Sequence, residues 1–245
     1  EDYSRPIDAI FCCVGGGGLI SGIAAYIKAV KPEIKIIGVE AQDADAMTQS
    51  LKANKRVILD TVSLFAEGAA LKQVGEIPFK ICQQYVDEMI TVDNDEICAA
   101  IKDVFEDTRS ILEPAGALAI DALKDLKDQI MGKKIVCIAS GGNFDFERLP
   151  DIKERALRFE GLKKYFILRM PQRPGALKDF LNLLGPNDDI ARFEYLKKSA
   201  RNFGSVLLGI ESGSAEGFKD LCKRMTDNGF TFEDITNDYL LAQFF

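Results

Sequence analysis

The chain has 245 residues, with 31 basic against 38 acidic side chains for a net charge of −7, and it contains no His and no Trp. That length fits one large or two modest domains. An apolar share of 47% is ordinary for a globular protein and excludes disordered or collagen-like structure. The acidic balance argues against nucleic acid and anionic membranes as partners, and no apolar run reaches the roughly 18–20 residues of a membrane span. Without His there is no imidazole base, no His metal ligand and no Ser-His or Cys-His catalysis within these residues. The opening residues, Glu-Asp-Tyr-Ser-Arg-Pro, lack a basic stretch followed by an apolar one, so no secretory signal is expected. The start at Glu1 rather than Met hints at a fragment. Cys12, Cys13, Cys82, Cys98, Cys137 and Cys222 include no C-x-x-C pair, and they read as scattered core thiols of a cytoplasmic protein rather than zinc ligands or disulfides.

Residues 1–142 alternate strand and helix signals. Residues 7–14 form a short, almost wholly apolar run, as a strand buried on both faces requires. After a run of glycines, residues 19–30 have helical apolar spacing, closed by Pro32. A strand is expected at 34–40, helices at 44–53 and 77–85, and a brief strand at 89–92. Asp93 or Asp95 caps a long helix reaching to about residue 111, and Pro114 starts another over 115–130. A strand follows at 134–139. Strands alternating with helices imply a parallel α/β sheet.

Residues 143–161 are polar and charged and read as a connecting segment with a short helix. Beyond it come strand 164–170, helix 174–184, strands 190–197 and 205–211, helix 215–228 and strand 231–235. This βαββαβ order is the ferredoxin-like arrangement. The expected organisation is a first domain over 1–145, a linker over 146–161 and a second, α+β domain over 162–245.

Three motifs are candidates for chemistry. Gly15, Gly16, Gly17 and Gly18 stand between a buried strand and a helix opened by Leu19. Consecutive backbone N–H groups without Cβ obstruction, aimed at by a helix N-terminus, suit a phosphate. The run is neither a Walker loop nor G-x-G-x-x-G. Ser140-Gly141-Gly142-Asn143 follows the last strand of the first half, where groups past strand C-termini line a ligand crevice, although Ser-Gly turns are common there. Glu113-Pro114-Ala115-Gly116 places a carboxylate at a helix start, as pocket group or simple capping acid. Phe65-Ala66-Glu67-Gly68 is similarly ambiguous.

Taken together, CCVGGGGLISGIA, IIGVE, FAEGAALKQVGE, VDNDEICAAIKDVFEDTR, EPAGALAI and IASGGN, in this order, resemble the threonine dehydratases (threonine ammonia-lyases), fold-type II enzymes that use pyridoxal 5'-phosphate (PLP). GLKKYFILRMPQRPGALKDFLNLLGPNDDIARFEYLKKS resembles the ACT-like regulatory domain of bacterial biosynthetic members with a single such module. The resemblance covers nearly the whole chain.

It implies that Gly15, Gly16, Gly17, Gly18 and Leu19 hold the cofactor phosphate and that Ser140 meets the pyridine nitrogen. A neutral hydroxyl there does not favour a protonated ring, which suits prompt β-elimination over a long-lived carbanion. Glu113 and Gly68 are expected at the substrate pocket. The implied reaction turns threonine into 2-oxobutanoate and ammonia, the first step of isoleucine biosynthesis. The implied setting is a cytoplasmic homotetramer.

The family's Schiff-base lysine lies in a Ser-Phe-Lys-type motif that does not occur in residues 1–245, nor does the accompanying ring-contacting Asn. The chain is therefore expected to be the C-terminal part of the enzyme and inactive alone. Serine racemase relatives bind a divalent ion after the GVE strand. Glu40 and Ala44 fit that pattern, but Ala46 stands where an Asp is wanted, so no metal is expected. In the second domain, the turn carrying Arg173, Gly175 and Ala176 is the expected pocket for an effector, implied to be isoleucine. The competing readings are a serine dehydratase or racemase, and a non-catalytic amino-acid sensor.

Overall fold

The computed structural model describes residues 5–196 and 202–238. In chain order the first half contains β1 (Ala9–Cys13), α1 (Gly18–Val30), β2 (Lys35–Ala41), α2 (Ala46–Lys52), α3 (Glu76–Tyr85) and β3 (Glu88–Val92). There follow α4 (Asn94–Thr108), α5 (Pro114–Asp125), α6 (Lys127–Ile130), β4 (Ile135–Cys137) and α7 (Leu149–Phe159). The four strands form one wholly parallel sheet in the order β3-β2-β1-β4.

Strand alternation explains why both faces of this sheet are apolar. Ala9 and Phe11 point to one side with Ile37 and Val39, against Ile97, Ala100, Leu118 and Ala122 of α4 and α5. Ile10, Cys12 and Val14 point to the other with Ile36, against Ile20, Ala24, Met47 and Phe79 of α1, α2 and α3. A parallel sheet covered on both faces requires this continuous apolar run. The chain steps from β1 outward to β2 and β3, then crosses back to β4 on the far side of β1. The β1/β4 seam is thus the point where strand order reverses, and the crevice past the strand C-termini opens there.

Local chemistry sets several boundaries. Asp93, not Asp95, is the α4 cap: its carboxylate accepts from the Asp95 amide at 2.8 Å while Glu96 accepts from the Asp93 amide at 2.7 Å, a reciprocal capping box. Arg109 then turns left-handed (φ 61°) and ends the helix short of residue 111. The helix expected over 115–130 breaks at Leu126 into α5 and α6. The strand expected over 134–139 keeps its ladder only through Cys137, although the Ile138 amide still donates to the Phe11 carbonyl at 3.0 Å. The connecting segment carries a 3-10 turn (Phe146–Arg148) and α7, an eleven-residue helix longer than expected.

A division into two compact units, residues 1–156 and 157–245, falls within α7. The second unit contains β5 (Lys163–Pro171), α8 (Ala176–Leu181), β6 (Asp188–Leu196), β7 (Phe203–Ser212), α9 (Ala215–Asp227) and β8 (Thr231–Asp234). Its sheet is antiparallel throughout, in the order β6-β7-β5-β8. Phe166, Leu168 and Met170 of β5 share a core with Phe180 of α8 and with Phe218, Leu221 and Met225 of α9. This is the expected ferredoxin-like arrangement. The Lys197 end of the expected β6 lies outside the described residues. Among the described residues no helix is long and apolar enough to cross a membrane.

Candidate active site

The glycine loop leaves the C-terminal end of β1 at the strand-order reversal. Val14 is its last ladder-bound residue, donating to the Val39 carbonyl at 2.9 Å, and the next amide with a backbone acceptor is Ser21, bonded to Gly17 at 3.0 Å. Among the described residues the N–H groups of residues 15–20 find no hydrogen-bond acceptor. Several convergent, unpaired donors at the positive end of a thirteen-residue helix form an anion cradle.

The surroundings fix the loop's shape. A Cβ on Gly15 would stand 2.9 Å from the Ala69 Cα, and Gly17 holds φ at +88° with Met47 and Pro78 packed against it. The Gly16 carbonyl accepts from the Gly75 amide at 3.1 Å. A Cβ on Gly18, by contrast, would meet nothing within 4 Å, so the cradle is open on that side. Gly18 and Leu19 are both exposed.

The other motifs gather at the same strand ends. Ser140 lies just past β4, with its Oγ 3.0 Å from the Cys13 Sγ. The Glu113 amide donates to the Gly141 carbonyl at 3.2 Å, and the Glu113 carboxyl lies where a Cβ on Gly141 would project. A Cβ on Gly68 would sit 3.7 Å from the Glu113 Oε1 and 3.1 Å from the Ala115 Cβ. The Phe65–Gly68 segment leads into a 3-10 turn (Glu67–Ala69) and is tied down by Arg148, whose Nη2 donates to the Phe65 carbonyl at 3.0 Å. Arg148 and Arg155 both stack on the Phe65 ring, at 4.9 and 4.5 Å. The structure therefore brings Gly15 to Gly18, Ser140, Glu113 and Gly68 to one end of one sheet.

Sequence reasoning missed two members of this cluster. Cys13 reads as a core thiol in an apolar run, yet it is half-buried and bonded to Ser140. Ala69 buttresses Gly15 from 54 positions away, and only the three-dimensional contact reveals it. All six cysteines are free.

Glu40 is fully buried and accepts from the Met47 and Thr48 amides, each at 2.8 Å, so both its oxygens staple α2 to β2. Burial pushes its carboxyl up to about 7, against the pull of Thr48 and Met47. Among the described residues no three His, Cys, Asp or Glu side chains gather as a metal site would require.

In the second unit, Gly175 holds φ at +82° ahead of α8, a helix of only six residues, and Ala176 is buried. The exposed Arg173 folds back on its own helix, with its Nη2 2.6 Å from Asp179 Oδ2 and its Nη1 3.3 Å from the Pro174 carbonyl. Beside it, the buried Gln172 Nε2 has no acceptor among the described residues.

These features define a two-part molecule: an α/β domain with an anion cradle at its switch point, followed by a ferredoxin-like module. The chain belongs to the pyridoxal-phosphate dependent enzyme family, whose signature matches residues 1–141. Residues 154–245 match the C-terminal regulatory domain of threonine dehydratase.

The chain is 46% identical over 239 residues to the biosynthetic L-threonine dehydratase IlvA of Halalkalibacterium halodurans, covering 97% of this chain and 58% of that protein. It is 48% identical over 206 residues to the IlvA protein of Staphylococcus aureus strain N315, covering 83% of this chain and 49% of that one. The chain thus spans about half the length of the curated relatives it matches. Among solved structures it resembles the processed form of threonine deaminase isoform 2 from Solanum lycopersicum, with a TM-score of 0.60 and 46% identity over 62% of this chain and 45% of that one. It also resembles a serine racemase from Dictyostelium discoideum, with a TM-score of 0.53 and 36% identity over 58% of this chain and 46% of that one.

The residues present fit the family's cofactor. Unpaired amides at residues 15–20 match its phosphate, the open side at Gly18 leaves room for it, and a hydroxyl stands across the seam at Ser140.

Proposed function

We propose that the full-length protein carrying this chain converts L-threonine to 2-oxobutanoate and ammonia, as the committed step of isoleucine synthesis in the cytoplasm, under feedback through its C-terminal module. The observation that carries this reading is the run of unpaired amides at residues 15–20, at the same strand ends of the β1/β4 seam as the Ser140 hydroxyl. The names of the relatives supply the substrate. In this reading the catalytic portion ends near residue 145, residues 146–161 connect, and residues 162–245 regulate.

When bound, PLP supplies an electron sink for loss of the substrate Cα proton and departure of the β-hydroxyl. The chain's own residues hold and orient. The amides of Gly15, Gly16, Gly17, Gly18 and Leu19 grip the phosphate with fixed donors that need no reorganisation. The Ser140 hydroxyl meets the ring nitrogen as a neutral partner and leaves it without a stabilised positive charge. Glu113, against Gly68 and Gly141, presents a carboxylate on the substrate side of the seam. The overall change balances as threonine to 2-oxobutanoate plus ammonia, with the water lost in elimination regained on hydrolysis of the enamine product.

Isoleucine is the proposed effector, and Arg173, Gly175 and Ala176 form its proposed site. Arg173 would exchange Asp179 for the ligand carboxylate, and the Gln172 side-chain amide offers a donor that lacks an acceptor. A homotetramer is the proposed assembly. The likeness to serine racemase favours serine as a second substrate of the same site. Assaying the full-length protein with threonine and with serine, with and without isoleucine, tests all of this. The expected result is 2-oxobutanoate formation, faster than serine turnover and suppressed by isoleucine. Absence of both visible cofactor absorbance and 2-oxobutanoate would overturn it.

A further inference from the structure

Cys13 ends β1 on the face it shares with Phe11, and Ser140 follows β4, the strand paired in parallel beside it. Their side chains span 127 positions of sequence to share a hydrogen bond of 3.0 Å. Ser140 is otherwise exposed, and among the described residues its hydroxyl has no other side-chain partner. An exposed serine hydroxyl samples three staggered rotamers. One specific contact selects among them before any ligand arrives.

The preceding residue, Cys12, is wholly buried on the opposite face, and its thiol donates to the Cys13 carbonyl at 3.4 Å. The two neighbouring thiols therefore have different work, one packing and one facing the crevice. Either atom of the Cys13–Ser140 pair can donate; with the Cys13 S–H as donor, the one hydroxyl proton of Ser140 stays free to donate to a ring nitrogen.

We propose that Cys13 is a positioning residue: it fixes the Ser140 hydroxyl in the orientation from which that hydroxyl meets the cofactor ring. This rests on the assignment of Ser140 to the ring nitrogen made above. A preset hydroxyl spares the binding step the entropy of freezing it. The residue acts through Ser140 and performs no chemistry itself.

The test is PLP affinity of the full-length protein, read by titrating visible absorbance, for Cys13→Ala, Cys13→Ser and Ser140→Ala, with thermal unfolding as a control. Loss of one hydrogen bond predicts that Cys13→Ala raises the PLP dissociation constant by roughly three- to tenfold, while Cys13→Ser, which keeps a hydroxyl for the same bond, stays near the parent. A dissociation constant unchanged in Cys13→Ala, or raised equally in Cys13→Ala and Cys13→Ser, overturns the proposal. If Ser140→Ala binds PLP as tightly as the parent, the ring assignment itself fails. If Ser140→Ala weakens binding and Cys13→Ala does not, only the role of Cys13 fails. Should Cys13→Ala not fold, the parent protein answers the same question. Saturating PLP is expected to slow iodoacetamide alkylation of the Cys13 peptide, and an unchanged rate overturns the proposal.

Discussion

Gly15 lies so close to Ala69 that a Cβ on it would stand 2.9 Å from the Ala69 Cα and 3.2 Å from the Ala69 carbonyl oxygen. Both neighbours are backbone, so neither can swing aside. Gly18, three residues on, faces open space. One glycine is therefore required by the protein and the other by what the protein holds. Gly15→Ala is expected to destabilise the protein by about 1–3 kcal/mol, lowering the melting temperature by several degrees. Gly18→Ala is expected to melt at or slightly above the parent, since alanine suits a helix start better than glycine. Yet the new methyl enters the cradle, and the PLP dissociation constant should rise about tenfold or more. Thermal unfolding and cofactor titration on the pair separate the two roles. Equal cofactor affinity in Gly18→Ala and the parent would sink the phosphate assignment.

Glu113 and Gly141 occupy one space, because a side chain on Gly141 would project into the Glu113 carboxyl. That carboxyl is the end of a flexible chain, so Gly141→Ala should fold while pushing the carboxylate out of place. Glu113→Gln keeps the shape and removes the charge. Both variants are expected to lower kcat/KM for threonine roughly tenfold, about 1.4 kcal/mol of transition-state binding. Parent-like kinetics in Glu113→Gln would show the residue to be a helix-start acid and nothing more.

Much of this was legible along the chain, for identifiable reasons. The unbroken apolar run of Ala9 to Cys13 and the spaced return of apolar residues in α1 reflect burial on both faces of a strand and on one stripe of a helix, which residue order records directly. The glycine run and Ser140 announce themselves because phosphate binding and sheet topology demand special residues at strand ends. Long-range contacts left no such trace. Nothing near Cys13 in the sequence points to Ser140, and nothing near Phe65 points to Arg148 and Arg155 stacked on its ring. The end of α4 carries no such sign either, because Arg109 adopts the left-handed turn usually given to glycine or asparagine.

Arg173 is tied to Asp179 at 2.6 Å, with both side chains about half exposed. An exposed pair of this kind holds little energy and yields readily to a better partner. Arg173→Ala is expected to weaken isoleucine binding to the full-length protein at least about tenfold, read by calorimetry. Unchanged binding would move the effector site away from this turn.

Asp121, on α5, is 2% exposed, and its Oδ2 has no hydrogen-bond partner among the described residues. Burial, reinforced by the nearby Glu96 carboxylate, pushes its carboxyl up to about 7, and burial does the same to Glu40. Each group binds its proton more tightly folded than unfolded. The stability they contribute is therefore full below about pH 4 and is lost as pH rises through about 7. Asp121→Asn removes the charge and keeps the shape. It is expected to leave the melting temperature below about pH 4 almost unchanged and to raise stability at pH 8 by up to about 4 kcal/mol. The corresponding Glu40→Gln variant flattens the same slope with a smaller net gain, because an amide oxygen can accept only poorly from both Met47 and Thr48. Melting curves of the three proteins from pH 4 to 8 decide the matter, and a parent protein whose stability follows the same course with pH as Asp121→Asn would refute it.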